Sequence, residues 1–289
     1  MTNDILTRIQ ENLPGFSKGQ KQIANYILSS YDKAAFMTAS KLGKTVNVSE
    51  STVVRFAAEL GYDGYPAMQK TLQEMIRNKL TSIQRIEVSR DRIGNQDVLS
   101  MVMQSDIEKI RMTLEDTDKQ SFGRAVELLS QARRVYILGV RSAGALADFL
   151  SYYLRFMFDD VVLVDTSAMS EVFEQVLRVR KEDVFIGLSF PRYSRRTVKA
   201  MKYVKDQGAT VIALTDSKTS PLTEYADVSL LAKSDMASFV DSLVAPLSLV
   251  NALIVAVSRQ RSQQLEQTLG ELEQIWSEYD EYEKSEGKG

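Results

Sequence analysis

The chain has 289 residues, enough for two domains, and its 44% hydrophobic and 26% charged residues with a formal net charge of −2 are typical of a globular protein. It contains no cysteine and no histidine, which excludes disulfides, Cys/His zinc sites, thiol nucleophiles and histidine acid–base chemistry. This composition lowers the expectation of an enzyme. The sequence shows no signal peptide and no apolar run of about 18 residues, so we expect a cytoplasmic protein without membrane contact.

Amphipathic patterns in residues 1–80 predict an all-helical domain. The predicted helices cover about 5–13, 17–30, 38–45 and 49–60. Pro14-Gly15 ends the first helix, and Ser17, Thr38 and Ser49 begin the other three as N-terminal residues of the preferred type.

The last two of these helices are short, joined by a tight turn, and have the proportions of a helix-turn-helix. In that geometry the first turns of the second helix enter the major groove of DNA, and basic residues nearby contact the phosphates. The candidate DNA-binding residues are Lys41, Lys44, Ser49, Ser51, Thr52 and Arg55. A helical packing module, with Ser and Thr acting only as caps, is the alternative. Residues 1–80 hold ten Lys or Arg against seven Asp or Glu, so DNA affinity would depend on a dimer.

The run TASKLGKTVNVSESTVVRFAAELGYDGYPAMQKTL resembles the N-terminal helix-turn-helix of the RpiR family of bacterial transcription regulators. The matching positions are Val48-Ser49, Ser51-Thr52-Val53, Arg55-Phe56, Leu60-Gly61-Tyr62 and Gly64-Tyr65. Asn47 stands where that family's turn usually has Gly. Because Asn tolerates positive φ, we expect the turn to persist.

Residues 81–129 form the predicted helical linker. The pattern is helical and charged to about Asp91, Gly94-Asn95 interrupts it, and it resumes over 96–114 and again from Asp118. We assign no chemistry to its charges, which are typical of a solvated helix face.

Residues 130–260 alternate strand and helix patterns, which predicts a doubly wound parallel sheet of five strands in an α/β domain. The strand candidates are Val135–Leu138, Val161–Val164, Val184–Leu188, Thr210–Leu214 and Val228–Leu231. The helical patterns between them cover residues 142–156, 169–179, 194–206 and 220–225.

Two strand-to-helix turns in this domain carry hydroxyl and guanidinium groups. Such turns point free backbone N–H groups and the positive end of a helix dipole into a crevice, where a phosphate can bind. The candidate effector-binding residues are Gly139, Arg141, Ser142, Ser189, Ser194 and Thr197. Ser194 and Thr197 are also ordinary helix N-terminal residues, which is the alternative reading. Thr215-Asp216-Ser217 either borders the same ligand or is a plain turn.

Both turns resemble the SIS (sugar isomerase) domain that follows the helix-turn-helix in RpiR regulators. The resemblance implies that Ser142, Ser189, Ser194 and Thr197 bind the phosphate of a sugar phosphate. The second turn is longer than the usual form by Phe190-Pro-Arg, and Arg195 replaces a Gly. Arg192 and Arg195 either pair with the ligand or face solvent.

The segment after the fifth strand supplies no isomerase chemistry that we recognise. SIS isomerases resembling this domain use Glu with Lys or His, whereas this chain offers Asp235 and Asp241 and has no His. We therefore expect a sensor with no catalytic residue, metal or cofactor.

Residues 236–258 predict a long apolar helix interrupted by Pro246, and its apolar residues either form a dimer interface or are buried in the monomer. Residues 261–289 predict a C-terminal helix that docks and then frays into an acidic tail.

The sequence favours a DNA-binding regulator of carbohydrate metabolism that responds to a phosphosugar. We expect a homodimer or homotetramer, because a change in the spacing of two heads against half-sites about 34 Å apart would alter DNA affinity. A sugar-phosphate isomerase with an incidental helical head is the rival, and an interaction protein without DNA or substrate is a third, weaker reading.

Overall fold

The computed structural model describes residues 5–76, 81–93, 97–164, 168–235 and 239–279. These residues form two compact units. The first extends to Val102 and includes Asp241, while the second takes Met103 to Asp235 and the chain from Ser242 onward. The division after Val102 falls inside the predicted linker. None of the helices in the described ranges has the length and apolar character needed to cross a bilayer.

The first unit is helical, as predicted. Its helices are α1 Ile5–Asn12, α2 Lys18–Ser29, α3 Tyr31–Ala34, α4 Ala39–Thr45, α5 Glu50–Glu59, α6 Tyr65–Ile76 and α7 Ser82–Ile93, with a 3₁₀ turn at Leu13–Gly15 after α1. The predicted caps are confirmed, since the side chains of Ser17, Thr38 and Ser49 each accept a hydrogen bond from the backbone N–H three residues later. The four-residue helix α3 was not predicted, because one turn is too short to show a period.

The core of the first unit holds the two helices of the predicted DNA-binding motif in place. Leu42 of α4 and Phe56 of α5 are fully buried, and the Phe56 ring lies 5.1 Å from that of Phe16. Burial of side chains of this size stabilises a fold by about 1.5–3 kcal/mol each. Tyr65 of α6 donates to Met37 O over 2.7 Å and so ties α6 to the segment that leads into α4.

The second unit is an α/β domain. Its strands are β1 Val135–Gly139, β2 Val161–Leu163, β3 Val184–Leu188, β4 Thr210–Thr215 and β5 Val228–Leu231. Its helices are α9 Lys119–Ser130, α10 Ser142–Leu154, α11 Met169–Val176, α12 Arg195–Asp206, α13 Val244–Gln260 and α14 Ser262–Glu278, and α8 Val98–Asp116 begins in the first unit and ends in the second.

The sheet is parallel throughout, with the strand order β2-β1-β3-β4-β5. Alternate residues of its central strands enter two separate apolar cores. Ile137 and Ile186 pack with α9, α10 and α13, whereas Tyr136 and Phe185 pack with α11 and α12. Helices therefore cover both faces, which confirms the predicted doubly wound, five-stranded α/β fold.

Two predicted helices are corrected. Residues 220–225 form turns, because the Ser220 hydroxyl accepts from Leu222 N and also bonds Thr215. The long helix begins at Val244, so Pro246 lies in its first turn, where a missing N–H costs no intrahelical bond and causes no interruption. Residues 236–238, 94–95 and 280–289, to which parts of the sequence predictions refer, lie outside the described residues.

The apolar residues of α13 divide between burial and exposure. Val250, Leu253 and Val257 are fully buried, which favours the monomer reading for most of the helix, while Val244 and Leu247 are exposed. The predicted docking of α14 is limited to Leu265, which packs partly against the core; the described part of α14 contains no buried residue.

Candidate functional site

The turn between α4 and α5 is compact because the chain folds back closely on itself. Val48 N donates to Gly43 O over 2.8 Å, and a Cβ at Gly43 would lie 2.8 Å from Val48 O. Asn47 has φ +57°, which confirms the expectation that Asn replaces Gly in a left-handed turn position.

The amino end of α5 presents a cluster of hydroxyl groups, which belong to the exposed Ser49 and Ser51 and the half-buried Thr52. Ser49 Oγ lies 2.9 Å from Ser51 Oγ and 2.8 Å from Thr52 Oγ1, and Arg55 Nε donates to Ser51 O over 3.4 Å. The structure thus gathers the four predicted α5 residues on the first turns of one helix. Lys41 and Lys44 are exposed on α4, the preceding helix.

The two predicted effector turns follow neighbouring strands. Gly139, the last residue of β1, is in register with Leu188, the last residue of β3. In the strand order β2-β1-β3-β4-β5 the winding reverses between β1 and β3, and ligands of doubly wound domains bind in the crevice at this point, outside the carboxyl ends of the strands.

The first turn depends on a glycine for close packing. A Cβ at Gly139 would lie 2.3 Å from Ala143 O, so only Gly lets the start of α10 pack so tightly against the strand end. The left-handed conformation falls instead on Arg141, with φ +60°. Arg141 and Ser142 are exposed, and Ser142 is the first residue of α10.

The hydroxyl groups of the second turn are more buried than that of Ser142 in the first turn. Ser189 is 5% exposed and its Oγ accepts from Ser194 N over 2.9 Å, while Ser194 Oγ caps α12 by accepting from Thr197 N over 3.3 Å. Thr197 is fully buried, and its Oγ1 has no hydrogen-bond partner among the described residues. Arg192 has φ +65°, and both Arg192 and Arg195 are exposed.

The end of β4 is tied to this second turn by contacts that the sequence did not reveal. Tyr193 donates its hydroxyl to Asp216 Oδ1 over 2.7 Å, and Thr215 Oγ1 donates to Ser189 O over 2.8 Å. The sequence signal for this region was the run of polar residues that ends β4. The sequence alone did not decide whether this run borders the ligand or forms a plain turn.

A surface depression of about 580 Å³ lies elsewhere on the second unit. It is lined by the first turns of α9 and by Asp227 and Val228. Val228 is the first residue of β5. The depression contains none of the predicted effector residues.

Comparison with known proteins follows the same division of the chain. Residues 3–79 match the family described as helix-turn-helix domain, rpiR family, and residues 128–256 match the SIS domain. An uncharacterized HTH-type transcriptional regulator from Haemophilus influenzae is 30% identical over 235 residues, which cover 80% of each chain. The chain belongs to the RpiR family of transcriptional regulators.

Two solved structures are similar to this RpiR-family chain. The SIS-type (sugar isomerase) domain of an RpiR transcription factor from Sphaerobacter thermophilus is 28% identical, with a TM-score of 0.58, over 62% of this chain and 99% of that one. The Vibrio vulnificus NanR protein, solved in complex with ManNAc-6P, is 21% identical, with a TM-score of 0.59, over 95% of this chain and 98% of that one. The second likeness establishes a shared fold.

The two aspartates considered for catalysis differ in their surroundings within this RpiR-family chain. The carboxylate of Asp241 accepts from the Arg85 guanidinium over 2.8 Å, and Arg85 is 3% exposed. Asp235 is exposed, and its backbone oxygen accepts from Ser242 N. Asp241 therefore pairs with a buried arginine, and this ion pair fixes local structure.

Proposed function

We propose that this RpiR-family regulator binds operator DNA through its first unit and a phosphosugar effector at the β1/β3 edge of its second unit, and that the effector changes DNA affinity. The domain pair matched by the chain supports the proposal. The presence of ManNAc-6P in the related NanR structure supports the class of effector.

The observation that carries the effector site is the buried hydroxyl of Thr197, which finds no hydrogen-bond partner among the described residues. A buried hydroxyl without a partner costs free energy, about 1–3 kcal/mol, unless a ligand completes its hydrogen bonds. Thr197 lies in the first turn of α12, where the helix dipole and free N–H groups favour an anion. Ser189 and Ser194 would add donors from this turn, while Gly139, Arg141 and Ser142 would line the other side of the crevice.

DNA recognition is assigned to the amino end of α5. The hydroxyls of Ser49 and Ser51, which are exposed, and of Thr52, which is half-buried, would contact base edges or phosphates. Arg55 would follow one turn later. Lys41 and Lys44 on α4 would contact the DNA backbone. This arrangement is that of the second helix of a helix-turn-helix in the major groove.

The proposal makes the protein a cytoplasmic homodimer or homotetramer that senses its ligand without converting it. A dimer supplies two helix-turn-helix domains for two DNA half-sites. An effector that binds one dimer arrangement more tightly than the other shifts the DNA affinity by the difference between its affinities for the two arrangements. A sugar-phosphate isomerase is the competing reading, and turnover of an aldose or ketose phosphate by the purified protein would establish it.

A thermal-shift screen tests the effector site directly. We expect one or more sugar phosphates to raise the melting temperature, because a ligand that binds the folded state stabilises it. The matching sugar without phosphate should give no shift. Ser189→Ala should abolish the shift while retaining DNA affinity. A sugar that shifts the melting temperature equally with and without its phosphate would contradict an anion site.

A further inference from the structure

The segment between β5 and α13 leaves the second unit and then returns to it. Residues 239–241, which we call the strap, belong to the first unit, whereas Asp235 before them and Ser242 after them belong to the second. The proposed function gives no role to the last residue of the strap, Asp241. The contacts on either side of this residue show what it can do.

The residues at which the chain leaves and re-enters the second unit are bonded to each other. Ser242 N donates to Asp235 O over 3.1 Å. Ser234, which is fully buried, donates its hydroxyl to Ser242 O over 3.0 Å. Ser242 donates its own hydroxyl to Asp106 of α8 over 2.6 Å. A movement of Ser234 therefore moves Ser242, and with it the end of the strap.

The strap ends on a buried arginine of the first unit. Asp241 Oδ1 accepts from Arg85 of α7 over 2.8 Å, and the two side chains are 19% and 3% exposed. The loss of one partner from such a pair leaves an uncompensated buried charge, so the pair is kept when either side moves. Arg85 therefore follows Asp241, and α7 follows Arg85.

The other end of this series of bonds lies in the proposed effector turn. Thr215, the last residue of β4, donates its hydroxyl to Ser189 O over 2.8 Å, and its backbone oxygen accepts from Ala232 N over 2.8 Å. Ala232 stands two residues before Ser234. Thr215, Ala232 and Ser234 are each no more than 1% exposed, so closely packed groups transmit a shift of the effector turn.

We propose that Asp241 carries the effector response from the second unit to the first. A ligand that binds one position of the Ser189 turn more tightly than another shifts the strap, and the ion pair with Arg85 passes that shift to α7. The inference rests on the proposed function for its ligand. Helix α8 also passes from one unit to the other, between Val102 and Met103, so the tests use variants that leave α8 unchanged.

Hydrogen exchange of the full chain without ligand tests the connection. We expect Thr215→Val, which removes the hydroxyl bonded to Ser189, to speed exchange in the α7 peptide by about fivefold or more, because linked segments open together. Thr210→Val makes the same replacement at the first residue of β4 and is the matched control. It should leave the exchange of α7 unchanged.

A double variant separates transmission through the strap from general destabilisation. In the Asp241→Ala background, Thr215→Val should no longer change the exchange of α7, because the ion pair that transmits the change is gone. Equal effects of Thr215→Val in both backgrounds, or no effect in the wild-type background, would overturn the proposal. If Asp241→Ala does not fold, Ser234→Ala takes its place with the same expected result, since it removes the bond to Ser242 and keeps the ion pair.

Inorganic phosphate is the probe for the link to the effector site. Saturating phosphate should slow exchange at the start of α12 in the wild type and in Asp241→Ala, and should change the exchange of α7 in the wild type alone. Asp206→Ala, which breaks an exposed ion pair with Lys202, should behave as the wild type. Protection of α12 without a change in α7, or a change that persists in Asp241→Ala, would overturn the proposal. If phosphate protects neither helix, the proposed effector site fails and the ligand-free comparison decides the role of the strap.

Discussion

The proposed DNA-binding turn of the first unit and the second proposed effector turn share one local structure. In each, a non-glycine residue with positive φ stands two positions before the helix cap, Asn47 before Ser49 and Arg192 before Ser194. In each, the cap serine accepts from a threonine N–H three residues later, over 3.3 Å. The backbone arrangement at the two helix starts is therefore nearly the same.

The two turns differ in what surrounds them. Around α5 the hydroxyl groups are exposed or half-buried and bond one another, as Ser49 does with Thr52. In the α12 turn, Thr197 is fully buried below Gly187 and its hydroxyl has no partner within the described structure. A cap motif alone does not determine its ligand. In the proposed function, the exposed first turn contacts a DNA duplex and the enclosed second turn binds a small anion.

The largest expected effect is a loss of folding stability when a side chain is added to a closely packed glycine, of which each unit contains one that we compare. A side chain at Gly139 would meet the Ala143 backbone at 2.3 Å, whereas one at Gly43 would meet Val48 O at 2.8 Å. We expect Gly139→Val to destabilise the second unit by about 3 kcal/mol or more and Gly43→Val to destabilise the first unit by less. Hydrogen exchange resolved by peptide would assign each loss to its unit. Equal protection in both variants and the wild type would contradict the packing argument.

A second expected effect concerns DNA affinity alone. Arg55→Ala should weaken operator binding by about 1–3 kcal/mol per head and lower the salt dependence of binding, because it removes a charge at the DNA surface. Arg124→Ala, which removes an exposed guanidinium from α9, is the matched control and should leave affinity unchanged. Fluorescence anisotropy at several salt concentrations measures both. The assignment fails if the two variants bind alike.

Much of the fold was predictable because the central strands β1 and β3 are buried along their whole length. Their apolar runs, such as Val184–Leu188, give sharp boundaries that the structure reproduces. The two turns were expected to follow neighbouring strands, and β1 does lie beside β3, but no local pattern gives the full strand order. The same limit applies to α8: its periodicity shows which face is apolar, while contacts from Ser242 and Lys233, over a hundred residues away, decide which face is buried.

The residue types of the candidate site were predictable from the sequence, whereas the burial of their side chains was less so. Serine and threonine after two strands predicted anion-binding turns, but Ser194 and Thr197 were equally consistent with ordinary helix caps. Only the packed structure shows that Thr197 is enclosed. The bond from Tyr193 to Asp216 joins two turns through a tertiary contact, and the polar run at the end of β4 did not indicate this partner.

A smaller effect concerns Tyr65, which anchors the first unit. Burial raises the pKa of its phenol from 10.0 to about 12, so the neutral form is favoured in the folded state. Its contribution is therefore complete below pH 10 and is lost as the pH rises from 10 to 12. Tyr65→Phe should lower the free energy of unfolding by about 1 kcal/mol at pH 8 and flatten its decline above pH 10. Urea titrations followed by circular dichroism measure both, and an unchanged alkaline slope would count against a buried, titrating Tyr65.

The smallest expected effect is on the free energy of unfolding when the positive-φ residues of the two turns, Asn47 and Arg192, are replaced. Asn47→Gly and Arg192→Gly should each change the free energy of unfolding by no more than about 1 kcal/mol, because Gly relieves the left-handed strain but adds entropy to the unfolded chain. Asn47→Val should destabilise more than Asn47→Gly, since a β-branched residue is strained at φ +57°. Thermal denaturation of the three variants compares them. Equal melting temperatures for Asn47→Gly and Asn47→Val would contradict the turn geometry.

The most direct test of the division between the two turns is calorimetric titration of a sugar phosphate into Thr197→Val, with Thr52→Val as the matched variant. Both substitutions replace a hydroxyl by a methyl in the first turn of a capped helix. The account predicts that Thr197→Val weakens sugar-phosphate binding by about tenfold or more, while Thr52→Val binds as the wild type does. Wild-type affinity in Thr197→Val would contradict the assignment of the effector to the α12 turn.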